Sequence, residues 1–316
     1  MNLQQLEYLV ALDAHRHFGR AAAECYVTQP TLSMMVQKIE EELGVKFFDR
    51  SRHPIVPTEA GERLLGQVRV ILREVERLRE MARLEEQSLS GELRIGIIPT
   101  LSPYLMPLFL PSFVEQYPGI HLKITERVTD TLVEGLHKGF LDAAILATPL
   151  GDPMLKEEVL FYEAFVVYSS HYYSKEYLLP EDIDVGELWL LEEGHCLRSQ
   201  IVQLCDLRSR QHPAVEYQSG SLETLKHLVD AQHGVTILPE LATLTLTSEQ
   251  RAKVKRFAPP EPMREISLVT HRQGVKERLL SVLRQAITMH LPAVCRHQKP
   301  EQPPVEWRKS RAQRRE

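Results

Sequence analysis

Leu64, Val68, Ile71, Val75, Leu78 and Ala82 follow one another at alternating steps of four and three residues. That spacing lays one apolar stripe along a single long helix, the a/d seam of a coiled coil. Thr58 has the side chain of an N-cap, so the helix is expected to open at Thr58-Glu59-Ala60-Gly61-Glu62 and to run to about Gln87. The stripe must be buried to be stable, either on its own domain or against a second copy. The short module before it offers little surface, so self-pairing is the better solution and the expected product is a homodimer. Ser88-Leu89-Ser90-Gly91 reads as a hinge. The chain thereby divides into a module at 1–58, a connector at 59–90, a body at 91–292 and a tail at 293–316.

In the module, Leu3, Leu6, Leu9, Val10 and Leu12 recur at helical spacing. Phe18 to Cys25 reads as a second, alanine-rich helix, and Tyr26-Val27 as a tight turn. A third helix starts at Thr28, with Pro30 tolerated in its first turn, and Gly44 stops it. Its apolar stripe is Leu32, Val36, Ile39 and Leu43. The other face carries Gln29, Thr31, Ser33, Gln37 and Lys38, side chains of a length that reaches base edges in a DNA major groove. Met34 and Met35 are also placed on that exposed face, where they would pack on thymine methyls. Val45 to Thr58, with Arg50 and Arg52 around Pro54 and Pro57, reads as a two-stranded wing suited to phosphate contact.

The body shows the βαβ rhythm of a parallel sheet. Leu93–Ile98, His121–Ile124 and Ala143–Ala147 are expected strands, Phe165–Tyr168 and Val235–Pro239 open a second set, and Ile266–Val269 returns to the first. The chain therefore crosses twice between two lobes, at about 91–162 with 265–292 and at about 163–264. The tail, with Arg308, Lys309, Arg311, Arg314 and Arg315, has the composition of a disordered basic segment.

The second lobe holds Glu193-Gly194-His195-Cys196-Leu197-Arg198-Ser199-Gln200-Ile201-Val202-Gln203-Leu204-Cys205. Cysteine attacks as the thiolate, and a nearby cation or a helix N-terminus favours that form. His195 and Arg198 flank Cys196, and Leu197 to Leu204 has a helical composition without Gly or Pro. Such a helix would hold the two Cα atoms roughly 13–14 Å apart, whereas a disulfide needs them within about 7 Å. Oxidation would have to melt the helix, which makes the pair a candidate conformational switch, with Cys205 resolving a sulfenic acid on Cys196. Cys25 and Cys295 lack this setting and read as bystanders.

Phe18, Ala21-Ala22, Thr28-Gln29-Pro30-Thr31-Leu32-Ser33, Ile39-Glu40-Glu41-Glu42-Leu43-Gly44, Phe47-Phe48-Asp49-Arg50 and Thr58-Glu59-Ala60-Gly61 stand in an order that resembles the LysR-type transcriptional regulators. The resemblance implies a winged helix-turn-helix head, a linker helix, and a C-terminal α/β effector domain of two lobes like a periplasmic binding protein. It also implies a homodimer or homotetramer on an inverted-repeat operator and recruitment of RNA polymerase. Gly194 to Arg198 with Cys205, together with Ile98-Pro99-Thr100, Pro103-Tyr104-Leu105 and Ser221–Leu225, is similar to the peroxide-sensing members of that family. By that likeness Thr100, Thr129 and His195 line a small hydrogen peroxide site beside Cys196, with Arg198 near it and Arg264 as a further cation for the thiolate. Reset would come from a cytosolic dithiol reductant. Ser199 replaces an acidic residue expected in those members.

Composition limits the alternatives. No uncharged apolar run approaches the roughly 18 residues of a membrane span, and Met1 to Gln5 has no basic or apolar signal region, so a cytoplasmic protein with reduced thiols is expected. The net charge is −5 and residues 1–58 are not basic, so DNA binding rests on motif and not on charge. The 13 histidines show no HxxxH spacing and the cysteines no CxxC, so neither a metal nor another cofactor is expected. Two rivals stay open: a LysR-type regulator that binds a metabolite and carries inert thiols, and a thiol peroxidase with a DNA module.

Overall fold

The computed structural model describes residues 1–85, 89–205, 220–231, 234–295 and 303–305. Gln87, Ser88 and the tail residues Arg308, Lys309, Arg311, Arg314 and Arg315 lie outside the described residues. The chain falls into two compact units that part near residue 88.

The first unit opens with α1 (Leu3–His15), capped by an Asn2/Gln5 capping box. Helix α2 (Phe18–Glu24) begins at His17, whose Nδ1 accepts from Gly19 and Arg20 N–H. After the turn at Tyr26, α3 (Gln29–Leu43) starts from Thr28, whose hydroxyl accepts from Thr31 N–H, and ends at Gly44. Leu6, Leu9, Leu12, Ala21, Leu32, Val36 and Ile39 pack the three helices into one core. Leu43 does not join that stripe: it is 43% exposed, because the last turn of α3 turns Glu40 and not an apolar residue into the interior. Met35 also departs from expectation. It is half-buried against the core, where its sulfur accepts from Gln5 Nε2 at 3.9 Å, and only Met34 stands in solvent.

The wing is β1 (Phe48–Asp49) paired antiparallel with β2 (Val56–Pro57). Thr58 ties it to the next helix, donating to Lys46 O at 2.7 Å and accepting from Gly61 N–H at 2.9 Å. A Cβ on Gly61 would lie 2.0 Å from Phe47 O, so glycine there lets helix α4 (Glu59–Glu85) start directly on the wing. The stripe of α4 has two uses. Val68 is buried in the head, next to Leu65 off the stripe, while Leu78 farther along is 68% exposed, with Met81 beside the stripe at 59%.

The second unit is an eight-stranded mixed sheet. Its first lobe alternates β3 (Gly91–Ile97), α5 (Ser102–Gln116), β4 (Ile120–Glu126), α6 (Thr129–His137) and β5 (Ala143–Thr148), with β3 parallel to both β4 and β5. The chain then passes to the second lobe along β6 (Leu155–Ser169), a single strand of 15 residues. Phe165–Tyr168 is therefore the far half of this strand and not a new beginning. The second lobe contains β7 (Tyr177–Leu178), α7 (Cys196–Leu204), α8 (Leu222–Asp230), β8 (Val235–Pro239), α9 (Ser248–Arg251) and β9 (Val254–Phe257). Strand β10 (Met263–His271) returns beside β5, and α10 (Glu277–His290) packs on α5 and β6. The two crossing strands exchange partners at one point: β10 holds β6 as far as Ala164, and β8 takes over at Phe165. A 3₁₀ turn at Ala293–Cys295 follows, with Cys295 fully buried, and Val305 packs on the same core. The start of the expected tail is thus built into the domain.

Candidate functional site

Helix α7 begins at Cys196 itself. Gly194 reaches φ +96°, a backbone conformation natural to glycine, and this turns the chain so that His195 is the N-cap and Cys196 the first helical residue. Cys205 is the C-cap at the other end. Neither cysteine is in a disulfide, both are buried, and they stand at the two ends of an intact nine-residue helix. At 1.5 Å rise per residue the pair stands roughly 13 Å apart, beyond disulfide reach.

Of the three cations expected at the thiol, the two that flank it in the chain do not serve it. Arg198 turns away to donate Nη1 to Leu191 O at 2.8 Å, where it braces the loop ahead of the helix. The His195 imidazole is buried and pushed below its usual pKa, chiefly by that burial, with Glu192 at 3.7 Å opposing. A neutral imidazole supplies no positive charge. The charge that acts on Cys196 belongs to Arg264 in β10, itself 0% exposed.

Arg264 is held on several sides. Its Nε donates to Glu163 Oε1 at 2.8 Å and Nη2 lies 2.7 Å from the same oxygen. Nη1 donates to Thr100 Oγ1 at 3.1 Å, and Leu241 N–H donates to Glu163 Oε2 at 3.1 Å. Strands β6 and β10 bring Glu163 and Arg264 opposite one another in register. Thr100 follows β3 and Thr129 opens α6, so both stand past the C-terminal ends of parallel strands, where open α/β sheets gather ligands.

Burial decides the resting state of the thiol. It pushes Cys196 above the ordinary cysteine range, opposed in turn by Arg264, the Thr129 hydroxyl and the backbone N–H groups of Leu197 and Cys196. The sequence expectation of a depressed pKa is therefore reversed, because desolvation outweighs one shared guanidinium and a helix end. Thr129 Oγ1 is fully buried and makes no complete hydrogen bond among the described residues, so its influence on the sulfur is that of a near neighbour. Thr100 accepts from Arg264, which leaves its own hydroxyl hydrogen free to donate. The site thus offers one neutral thiol, one fixed cation and two hydroxyls with unused capacity.

Sequence reading missed Glu163, although a lone acid in the apolar run Leu160-Phe161-Tyr162-Glu163-Ala164-Phe165-Val166-Val167 was a signal. It also missed Cys295, which lies close enough to Glu163, Glu240 and Arg264 to feel their charges; burial raises its pKa as well.

In the head, Gln29, Pro30, Gln37 and Lys38 are exposed and Thr31 and Ser33 half-exposed along one side of α3. Gln37 Nε2 donates to Glu41 at 2.8 Å and Arg52 pairs with Asp49 at 3.2 Å, both at the surface. Arg50 is committed elsewhere: it donates to the buried Glu40 at 2.9 Å and lies 5.3 Å from the Phe18 ring centroid. It is a fastener of the wing first.

A winged helix-turn-helix head, a long connecting helix and a two-lobed α/β body define a transcription regulator with its own sensing domain. Residues 3–62 match the model described as "Bacterial regulatory helix-turn-helix protein, lysR family", and residues 86–307 match "LysR substrate binding domain". The chain belongs to the LysR family. It is 38% identical over 298 residues to a hydrogen peroxide-inducible genes activator of Dickeya chrysanthemi, covering 92% of this chain and 97% of that one. Among solved structures it is similar to a full-length cysteine variant of OxyR from Pseudomonas aeruginosa, with TM-score 0.78, 34% identity, and coverage of 94% and 100%. It is also similar to a peroxide-bound cysteine variant of OxyR from Corynebacterium glutamicum, with TM-score 0.59, 30% identity, and coverage of 92% of each chain. No helix among the described residues is long and apolar enough to cross a membrane.

Proposed function

We propose that this chain is a cytoplasmic, hydrogen-peroxide-responsive transcription regulator whose signal is a reversible bond between Cys196 and Cys205. One observation carries the reading: two buried, unbridged cysteines stand at the two ends of one helix, and the first meets a fixed cation and a hydroxyl with no hydrogen-bond partner among the described residues. Peroxide is small and neutral, so it can enter such a site. The Cys196 thiolate attacks one peroxide oxygen, the O–O bond breaks, and the departing hydroxide takes up the proton lost by the thiol, giving a sulfenic acid and water. Arg264 favours the thiolate, and Thr100 and Thr129 orient the oxygens.

Cys205 then attacks the Cys196 sulfur, the S–O bond breaks, and a second water leaves. Helix α7 must open for this step. A cytosolic dithiol resets the switch by exchange. The rearrangement alters contacts between effector domains in a dimer or tetramer and so moves the DNA heads, with Gln29, Thr31, Ser33, Gln37 and Lys38 facing the inverted-repeat operator and Arg52 the phosphates. The exposed Leu78 of α4 lies on the seam along which two copies pair, with the exposed Met81 beside it. RNA polymerase is the downstream partner. The protein acts once per signal and is not a peroxidase by trade.

Mass spectrometry of both thiols before and after micromolar peroxide, with DNA footprints of each form, tests this reading. A Cys196–Cys205 disulfide accompanied by a changed footprint is expected. An unchanged footprint, with response restored by a small metabolite, would leave the metabolite-binding rival standing.

A further inference from the structure

The middle of the switch helix is tied to the chain's C-terminal segment. Gln200 lies one turn beyond Cys196 and is fully buried. Its Nε2 donates to Val305 O at 2.7 Å, and Val305 N–H in turn donates to Met263 O at 2.8 Å. Met263 immediately precedes Arg264. Pro303–Val305 therefore spans from the strand that carries the cation to the helix that carries the thiol, and Val305 packs its side chain on the same core. Gln200 Oε1 has no partner among the described residues, so the strap's carbonyl is the bond that satisfies this buried amide.

We propose that Pro303–Val305 is a strap that holds the reduced conformation, with Gln200 as its positioning residue, and that it sets how fast the disulfide closes. The inference rests on the redox reading above. Cys205 can reach the Cys196 sulfenic acid only when α7 opens, and opening α7 breaks the Gln200–Val305 bond. Burial of the thiol and the charge that Arg264 exerts on it do not use that bond. The strap should therefore act on the second step, loss of water from sulfenic acid and thiol to give disulfide, and leave the first step alone.

The test follows both steps by stopped flow with added hydrogen peroxide, in the full-length protein and in four altered chains. These are a chain ending at Gln302, a chain ending at Trp307, Gln200→Leu, and Gln200→Leu in the chain ending at Gln302. Loss of the strap is expected to speed disulfide closure roughly three- to tenfold, the worth of a hydrogen bond, with the rate of sulfenic acid formation unchanged. Gln200→Leu should do the same, the double change should add nothing further, and the chain ending at Trp307 should behave as the full protein. Equal closure rates in all five proteins, or fully multiplying effects in the double change, would overturn the strap. Should the chain ending at Gln302 fold poorly, Val305→Pro in the full chain removes the N–H that anchors the strap to Met263, and unaltered closure there overturns it equally. If the full-length protein forms no Cys196–Cys205 disulfide at all, the redox reading has failed and not the strap.

Discussion

Each unit of this protein has a buried carboxylate tied to an arginine, Glu40 in the head and Glu163 in the body, and the two are finished differently. In the head, Glu40 is 2% exposed. It accepts from Phe47 and Phe48 N–H at 2.8 and 3.3 Å and from Arg50 at 2.9 Å, with Lys46 at 3.6 Å. Every partner lies in or beside the wing, so the group fastens helix to hairpin and has nothing left over. In the body, Glu163 holds Arg264, but Arg264 passes its charge on to a thiol and a hydroxyl, and the Thr129 hydroxyl beside that thiol has no hydrogen-bond partner among the described residues. A closed network of buried polar groups is architecture. An open one, with donors and acceptors waiting, is a place for a small polar ligand.

The contrast can be broken most completely at Cys196. Cys196→Ser should abolish disulfide formation and the peroxide-dependent change in DNA footprint; survival of either removes the assignment. Next comes Glu40→Ala, which should destabilise the head by about 3–5 kcal/mol by leaving buried donors and Arg50 without their acceptor. Thermal unfolding measures that loss, and the peroxide rate of the effector domain should not move.

The body should answer in the opposite sense. Replacing Arg264→Met together with Glu163→Leu removes the cation without stranding its partner, an exchange often neutral for stability. Thiolate stabilisation should fall, so the rate of Cys196 with peroxide should drop about 10- to 100-fold with little change in melting temperature. An unaltered rate would show that Arg264 serves only structure. On the exposed face of α3, Gln29→Ala should cost about 1–3 kcal/mol on the operator and much less on random DNA if it reads a base. Equal losses on both would make it a positioning contact.

The smallest effect concerns pH. Because burial raises the folded-state pKa of Cys196, thiolate becomes more abundant as pH rises, and the peroxide rate should climb by up to tenfold per unit above neutrality. Stability runs the other way: a raised thiol favours the folded state fully below the unfolded value of about 8.5, and that contribution is lost as pH rises beyond it. A flat rate profile would mean that the thiol is already ionised at rest.

The head was legible from sequence because its determinants are local. Thr28 and Thr58 announce their caps within three residues, and the 3.6-residue period carries the core. The parallel strands of the first lobe were legible for the same reason. Strand β6 was not, since its identity as one element depends on an exchange of partners between β10 and β8 that leaves no local mark. The site divides along the same line. Cys196, Cys205 and the helix between them could be read directly, but for the cation the sequence put Arg198 and His195, neighbours in the chain, ahead of Arg264, which the family resemblance offered only as a further candidate. The residue that fills the role is Arg264, whose partner Glu163 stands 101 positions away. The reversed pKa has the same origin: sequence shows which charges are adjacent, whereas burial is a property of the assembled core.

The central claim is that the two thiols cannot join while α7 is folded. Amide hydrogen exchange across residues 196–204, measured before and after one equivalent of peroxide, tests it directly. The account predicts protected amides in the reduced protein and rapid exchange once the disulfide has formed. A fully formed Cys196–Cys205 disulfide with the same protection as before would contradict it.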